Sequence, residues 1–137
     1  MRIYLDACVI IYLIEAHPQF GQLVARRIAA LRTPQSVIVS SRLSKLECLT
    51  LPHREANSRL IALYEAFFQA RDFEWVDVSE DVVEAALRLR ATYNLKTPDS
   101  LHLASSLTTN ADIFLTGDVA LARCRPVQVE VITAAQP

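Results

Sequence analysis

Asp6, Glu47, Asp99 and Asp118 each stand at the edge of an apolar run: IYLDACVIIYL, SKLECLTL, TPDSLHLA and FLTGDVAL. Acidic side chains ordinarily scatter over solvated faces. Carboxylates gathered beside buried segments repel one another and persist only where something cationic neutralises them. Hard divalent ions such as Mg2+ or Mn2+ take oxygen ligands of this kind. The chemistry to which such a set points is metal-dependent phosphoryl transfer.

Four acids so far apart in sequence meet only if their segments end on one edge of a common scaffold. Residues 2–6 read as a short apolar strand. A helix over 9–16 follows and stops before Pro18; another over 20–32 ends before Pro34. SVIVS at 36–40 is a strand, and 42–51 is a helix broken at Pro52. The helix at 55–70 carries Leu60, Leu63, Tyr64, Phe67 and Phe68 as one buried stripe. FEWVDV at 73–78 alternates as a strand, and Ser79 caps a helix that reaches residue 94. Thr97 is the expected N-cap of a helix running to 109, with Pro98 at its first position. Residues 112–116 and 127–132 are the last strands.

Short apolar strands alternating with longer helices, and only two glycines, predict an α/β fold with a parallel sheet and helices on both faces. No repeat or linker interrupts the chain, so residues 1–137 are expected to form a single domain. Ligands of open parallel sheets bind beyond the carboxyl ends of the strands. Asp6 ends the first strand and Asp118 follows the 112–116 strand, while Glu47 and Asp99 are expected in the first turns of helices starting on that edge.

Each acid also has a purely structural explanation. Asp6 can cap the helix that follows it. Glu47 can close a capping box with Ser44. Asp99 suits the positive end of a helix dipole, and Asp118 can cap a short helix at 119–123. Four independent caps at one end of one sheet explain the pattern less economically than one shared ion. His102, three residues after Asp99, reads as a packed or hydrogen-bonded histidine; His17 and His53 show no ligand spacing. Cys8 and Cys48 lie close to proposed metal acids, which hints at a soft metal, but hard-ion chemistry leaves thiolates no role and both read as core. Trp75 and the aromatics at 64–68 also follow core patterns.

With 52% hydrophobic residues the chain is globular, and no apolar run is long enough to cross a bilayer. Asp6 and Glu15 interrupt and close the N-terminal apolar stretch, which argues against a signal peptide. Three cysteines without a CxxC spacing fit small buried residues in a reducing cytosol, so a cytoplasmic protein without a membrane partner is expected. The net charge of −1 does not suggest nucleic acid. Its distribution is more informative: residues 21–60 hold Arg26, Arg27, Arg32, Arg42, Lys45, Arg54 and Arg59 against Glu47 and Glu55, whereas 72–84 is purely acidic. Such runs can be plain solvated faces, yet the basic one brackets Glu47, as a polyanionic substrate would require.

At these residues the chain resembles PIN-domain ribonucleases, and among them the VapC-type toxins of toxin–antitoxin pairs. The resemblance rests on YLDACVIIYLIE, SRLSKLEC, AALRLRATYNLKTPDSLHLASSL, FLTGDVALAR and the closing VQVEVI, an ordered set spanning almost the whole chain. It implies a three-layer α/β/α sandwich and endonucleolytic cleavage of RNA dependent on Mg2+ or Mn2+. Asp6, Glu47 and Asp99 fall on the family's most regular acidic positions. Asp118 falls on a more variable fourth, in a T-x-D pattern where Thr116 supplies a supporting hydroxyl. Ala7 departs from the family: many relatives carry Ser or Thr directly after the first Asp. The implied partners are RNA, a small cognate antitoxin that places a basic side chain in the cleft, and a second copy of the chain.

On that basis Asp6 and Asp99 are expected as primary ligands, Glu47 as a ligand or water-positioning base, and Asp118 as acting through a second ion or through water. Three other readings stand beside the toxin: a housekeeping RNA-processing nuclease of the same family, a haloacid-dehalogenase-like phosphatase, and a catalytically silent interaction domain. The phosphatase also begins with a strand-end Asp, but its Asp-x-Asp pattern is missing because Cys8 occupies the second position.

Overall fold

The computed structural model describes residues 1–125 and 127–133. Its centre is β1 (Arg2–Leu5), in which Ile3, Tyr4 and Leu5 are fully buried. Successive strand residues point to opposite faces. Ile3 and Leu5 accordingly pack with α1 (Ala7–Ile14), α2 (Gly21–Leu31), α3 (Arg42–Arg54) and α4 (Ser58–Phe68) through Val9, Ile10, Val24, Ile28, Leu49 and Phe68. Tyr4 packs on the other side with α5 (Glu80–Tyr93) and α6 (Thr97–Thr108) through Val82, Leu89 and Leu103. The result is the expected three-layer sandwich.

β2 (Val37–Ser41) and β4 (Ile113–Thr116) flank β1, with β3 (Phe73–Val76) and β5 (Val129–Val131) outside them. The order is β3-β2-β1-β4-β5 and every pairing is parallel. Tyr4 is in register with Val39 on one side and Phe114 on the other. The chain builds outward from β1 to β2 and β3, then returns to β4 on the opposite flank. The carboxyl ends of β1 and β4 therefore form the crevice where strand order reverses, the usual ligand position in such sheets.

Several local expectations are corrected. Pro52 does not break α3, which continues to Arg54. In the last turn Pro52 forfeits a single helical hydrogen bond, toward the Cys48 carbonyl. The turn is closed by Glu55 N donating to Leu51 O at 3.0 Å and Asn57 N donating to Pro52 O at 2.9 Å, with Ala56 left-handed at φ 51°. Lys96, not Thr97, is the N-cap of α6, without a side-chain bond, so Pro98 lies one position deeper. Ser41 caps α3 through its bond from Leu43 N. That puts Glu47 in the second turn rather than the first, and Ser44 bonds Ser40 instead of forming a capping box with Glu47.

Candidate active site

Asp6 follows β1 directly and is the N-cap of α1. Its Oδ1 accepts from Ala7 N at 2.9 Å, and its backbone N–H donates to Leu115 O at 3.0 Å, tying it to β4. Its Oδ2 accepts the hydroxyl of Thr116, which is fully buried at the end of β4, at 2.7 Å. The Thr116 oxygen in turn accepts Asp118 N at 3.1 Å. Asp118 Oδ1 accepts Ala120 N at 2.9 Å and caps the 3₁₀ turn Val119–Arg123. The capping roles foreseen for Asp6 and Asp118 are both present; both Asp6 oxygens are engaged, whereas among the described residues nothing bonds Asp118 Oδ2.

Asp99 lies in the first turn of α6. Among the described residues nothing hydrogen-bonds or ion-pairs with its carboxylate. Burial raises its pKa, the negative charges of Asp6 and Asp118 raise it further, and His102 and Lys96 oppose them only partly. The three aspartates thus share one electrostatic field at the switch point. Asp6, Asp99 and Asp118 form no ion pair with Lys or Arg among the described residues.

Glu47 arrives from the opposite layer on α3. Its Oε1 lies 2.5 Å from His102 Nε2. His102, only 1% exposed, also holds Tyr4 Oη at 2.7 Å through Nδ1, and its Nε2 stands 3.7 Å from Asp6 Oδ1. The packed and hydrogen-bonded reading of His102 holds. What sequence reasoning missed is its partner: the ring connects Glu47 to the aspartate cluster. The only available signal was its position one turn after Asp99, on the same face.

Oxygen donors that repel one another, with only His102 and Lys96 partly offsetting them, suit a hard divalent ion. As arranged, however, no three His, Cys, Asp or Glu side chains among the described residues stand close enough together to hold a metal ion. Asp6 and Asp118 are partly engaged by backbone N–H groups and Glu47 by His102, so the donor chemistry fits an ion that completes its shell with water and substrate oxygens. Cys8 is a thiol in this setting: burial and then the charge of Asp6 push its pKa up to about 12. Its sulfur accepts Gly117 N at 3.3 Å. A Cβ at Gly117 would approach the Tyr12 ring to 2.9 Å, so a larger residue there would displace that ring.

The basic and acidic runs meet at two ion pairs. Arg32 pairs with Asp72 at 2.7 Å and Arg42 with Asp77 at 2.6 Å, while Arg27 reaches Glu130. Arg42 also lies over the Trp75 ring at 5.3 Å. Much of the positive charge bracketing Glu47 in sequence is therefore paired within the protein.

The crevice, its acids and the doubly covered sheet define a PIN-type fold, and the chain belongs to the PIN domain family, whose pattern matches residues 3–125. Similar solved structures extend over nearly the whole chain. VapBC2 from Rickettsia felis, bound to a DNA fragment from its promoter, matches at TM-score 0.76 and 17% identity, over 96% of this chain and 98% of that one. VapBC-1 from nontypeable Haemophilus influenzae matches at 0.73 and 19%, over 96% and 98%. VapC20 from Mycobacterium tuberculosis, described as a sarcin–ricin loop cleaving toxin, matches at 0.69 and 19%, over 92% and 98%. No curated protein matches significantly by sequence. No helix among the described residues is long and apolar enough to cross a membrane.

Proposed function

We propose that this protein is a divalent-metal-dependent endoribonuclease and the toxin of a toxin–antitoxin pair. The observation that carries the catalytic reading is the meeting of Asp6, Asp99 and Asp118 at the switch point, where burial and mutual repulsion raise the Asp99 pKa although His102 and Lys96 partly oppose them. Asp6 and Asp99 would hold Mg2+ or Mn2+, with Glu47 and Asp118 as further ligands or as groups that orient ligand water. Once bound, such an ion acidifies a water molecule and offsets charge on the reacting phosphate.

The chain's own residues supply orientation. Thr116 holds one Asp6 oxygen and, through Asp118 N, the start of the 3₁₀ turn. Glu47 would serve as a ligand or as the group that orients and deprotonates the attacking water. Water attack without the ribose 2′-OH leaves 5′-phosphate and 3′-OH ends. Membership of the PIN family removes the haloacid-dehalogenase alternative.

The partner reading draws on the solved structures, several of which are toxin–antitoxin complexes. A small antitoxin that inserts an Arg among the carboxylates would compete with the ion, since the guanidinium fork suits carboxylate pairs. Of the apolar runs, Val9 and Ile10 on α1 are consumed by the protein's own core. Leu46 and Leu51 on α3 and Leu63 on α4 remain exposed for an antitoxin or a second copy of the chain.

The deciding experiment incubates total RNA with purified protein, with and without Mg2+. The expected result is Mg2+-dependent cleavage that Asp6→Asn abolishes in a folded protein, together with growth arrest on expression that the same change relieves. Cleavage that survives Asp6→Asn disproves the site assignment. A folded wild type without cleavage favours a silent interaction domain, and cleavage without toxicity or a small partner favours a housekeeping nuclease.

A further inference from the structure

We propose that His102, braced by Tyr4, is a positioning residue that fixes the Glu47 carboxylate at the edge of the aspartate cluster. The inference rests on the metal-site reading above and adds to it a device that none of the four acids provides. Of the four candidate acids Glu47 is the one carried by α3, and among the described residues no backbone group bonds its side chain. Its side chain is a third exposed, with three rotatable bonds. Left alone it would sample many rotamers. The imidazole removes that freedom by bonding Oε1 at 2.5 Å, and among the described residues nothing bonds Oε2, which remains for an ion or water.

The ring is itself held from behind. Tyr4 is fully buried, stacked on Phe114 with ring centroids 5.1 Å apart, and its oxygen accepts Ser41 N at 3.1 Å. An ionised carboxylate only accepts, so Nε2 carries the proton donated to Glu47. A neutral ring then has a bare Nδ1, which accepts the Tyr4 hydroxyl; a charged ring donates Nδ1–H to the same oxygen. Donation to Glu47 holds in either charge state. The chain Ser41–Tyr4–His102–Glu47 thus runs from the end of β2 through β1 and α6 to α3. It links the two helical layers where they meet the crevice. Polar groups behind a metal ligand fix its orientation in this way, and their loss costs roughly 10–100-fold in metal affinity.

The test measures Mn2+ affinity by titration calorimetry on protein shown to melt cooperatively, so that it does not depend on turnover. His102→Leu keeps bulk and removes the donor; the expected result is affinity lowered about tenfold or more. His102→Gln, whose amide can reach the Nε2 position, should recover part of the loss. In a Glu47→Gln background His102→Leu should add nothing, the sign of two residues acting as one. Wild-type affinity in His102→Leu, or losses that simply add in the double variant, overturn the proposal. If His102→Leu does not fold, Tyr4→Phe serves instead: its loss of affinity should vanish in the Glu47→Gln background, and persistence there overturns the proposal. Binding that requires Asp6 but not His102 defeats this inference alone. A wild type that binds no Mn2+, or whose binding ignores Asp6→Asn, defeats the metal-site reading and this inference with it.

Discussion

Thr116 gives its hydroxyl proton to Asp6 Oδ2 at 2.7 Å across 110 residues of sequence, joining the ends of the two central strands. The same oxygen receives Asp118 N, so one buried hydroxyl orients one acid and locates the backbone of another. Thr116→Val should leave both groups unsatisfied, at a cost of about 1–3 kcal/mol each where burial is complete. Cleavage should drop with stability, and Thr116→Ser should restore both. A valine variant that melts and cleaves like the wild type would show that the hydroxyl is dispensable.

Asp99 is the acid without a hydrogen-bond partner among the described residues, and Asp6 and Asp118 repel its charge. Asp99→Asn should therefore not lower the melting temperature of the metal-free protein. In the wild type, Mg2+ or Mn2+ at a hundredfold excess over Kd should stabilise by about 2.7 kcal/mol. The variant should lose most of that gain, and RNA cleavage with it. A large destabilisation of the metal-free variant in thermal melts would instead assign Asp99 a purely structural role at the helix end.

The pH dependence of the metal-free protein follows from two raised pKa values. For Asp99 the causes are burial, then Asp6 and Asp118. For His102 burial acts downward, but the Glu47 bond and the charges of Asp6, Glu47 and Asp99 outweigh it. A group whose folded pKa exceeds its unfolded value contributes stability below the unfolded pKa and loses it as pH rises through the folded one. The Asp99 contribution should fade as pH climbs above 3.8, and that of His102 as it climbs above 6.5. In chelator, wild-type stability relative to Asp99→Asn should fall with rising pH across the first window. Relative to His102→Gln it should fall across the second. A rise in either difference would contradict the arrangement.

The thiols should be inert in the folded state. Burial and Asp6 push Cys8 up to about 12, and burial together with Glu47 raises Cys48 as well. Only a thiolate reacts readily. Iodoacetamide at pH 8 should leave both unmodified by mass spectrometry until denaturant is added. Rapid native labelling of Cys8 would place the Cys8–Gly117–Thr116 corner in a more open setting.

Ala56 ends α3 at φ 51°, in the left-handed region where an L side chain is strained. Glycine there removes the strain but adds freedom to the unfolded chain. Ala56→Gly should stabilise by about 0.5–1 kcal/mol net in urea denaturation. A destabilised variant would mean that the Ala56 methyl contributes packing not evident from its exposure.

The strands and most helices were legible in the chain, because Ile3-Tyr4-Leu5 is a continuous apolar, fully buried run and Leu60, Tyr64, Phe67 and Phe68 recur at helical spacing on the core side of α4, although Leu63, expected in that stripe, is exposed. These are local patterns that sequence order alone determines. The departures share a cause. Pro52 inside α3 and Lys96 as the cap of α6 depend on which carbonyls and amides later turns satisfy. Arg32–Asp72 and Arg42–Asp77 join two charge runs that look independent in the sequence. The decisive bonds of the site, Thr116 to Asp6 and His102 to Glu47, span 110 and 55 residues. Hydrogen bonds are short-ranged and directional, so partners that distant are chosen only when the parallel sheet sets strand order and the two helical layers close on its carboxyl edge. Sequence determined that carboxylates would gather at one edge of an α/β sheet; tertiary structure alone decided which neutral side chains hold them there.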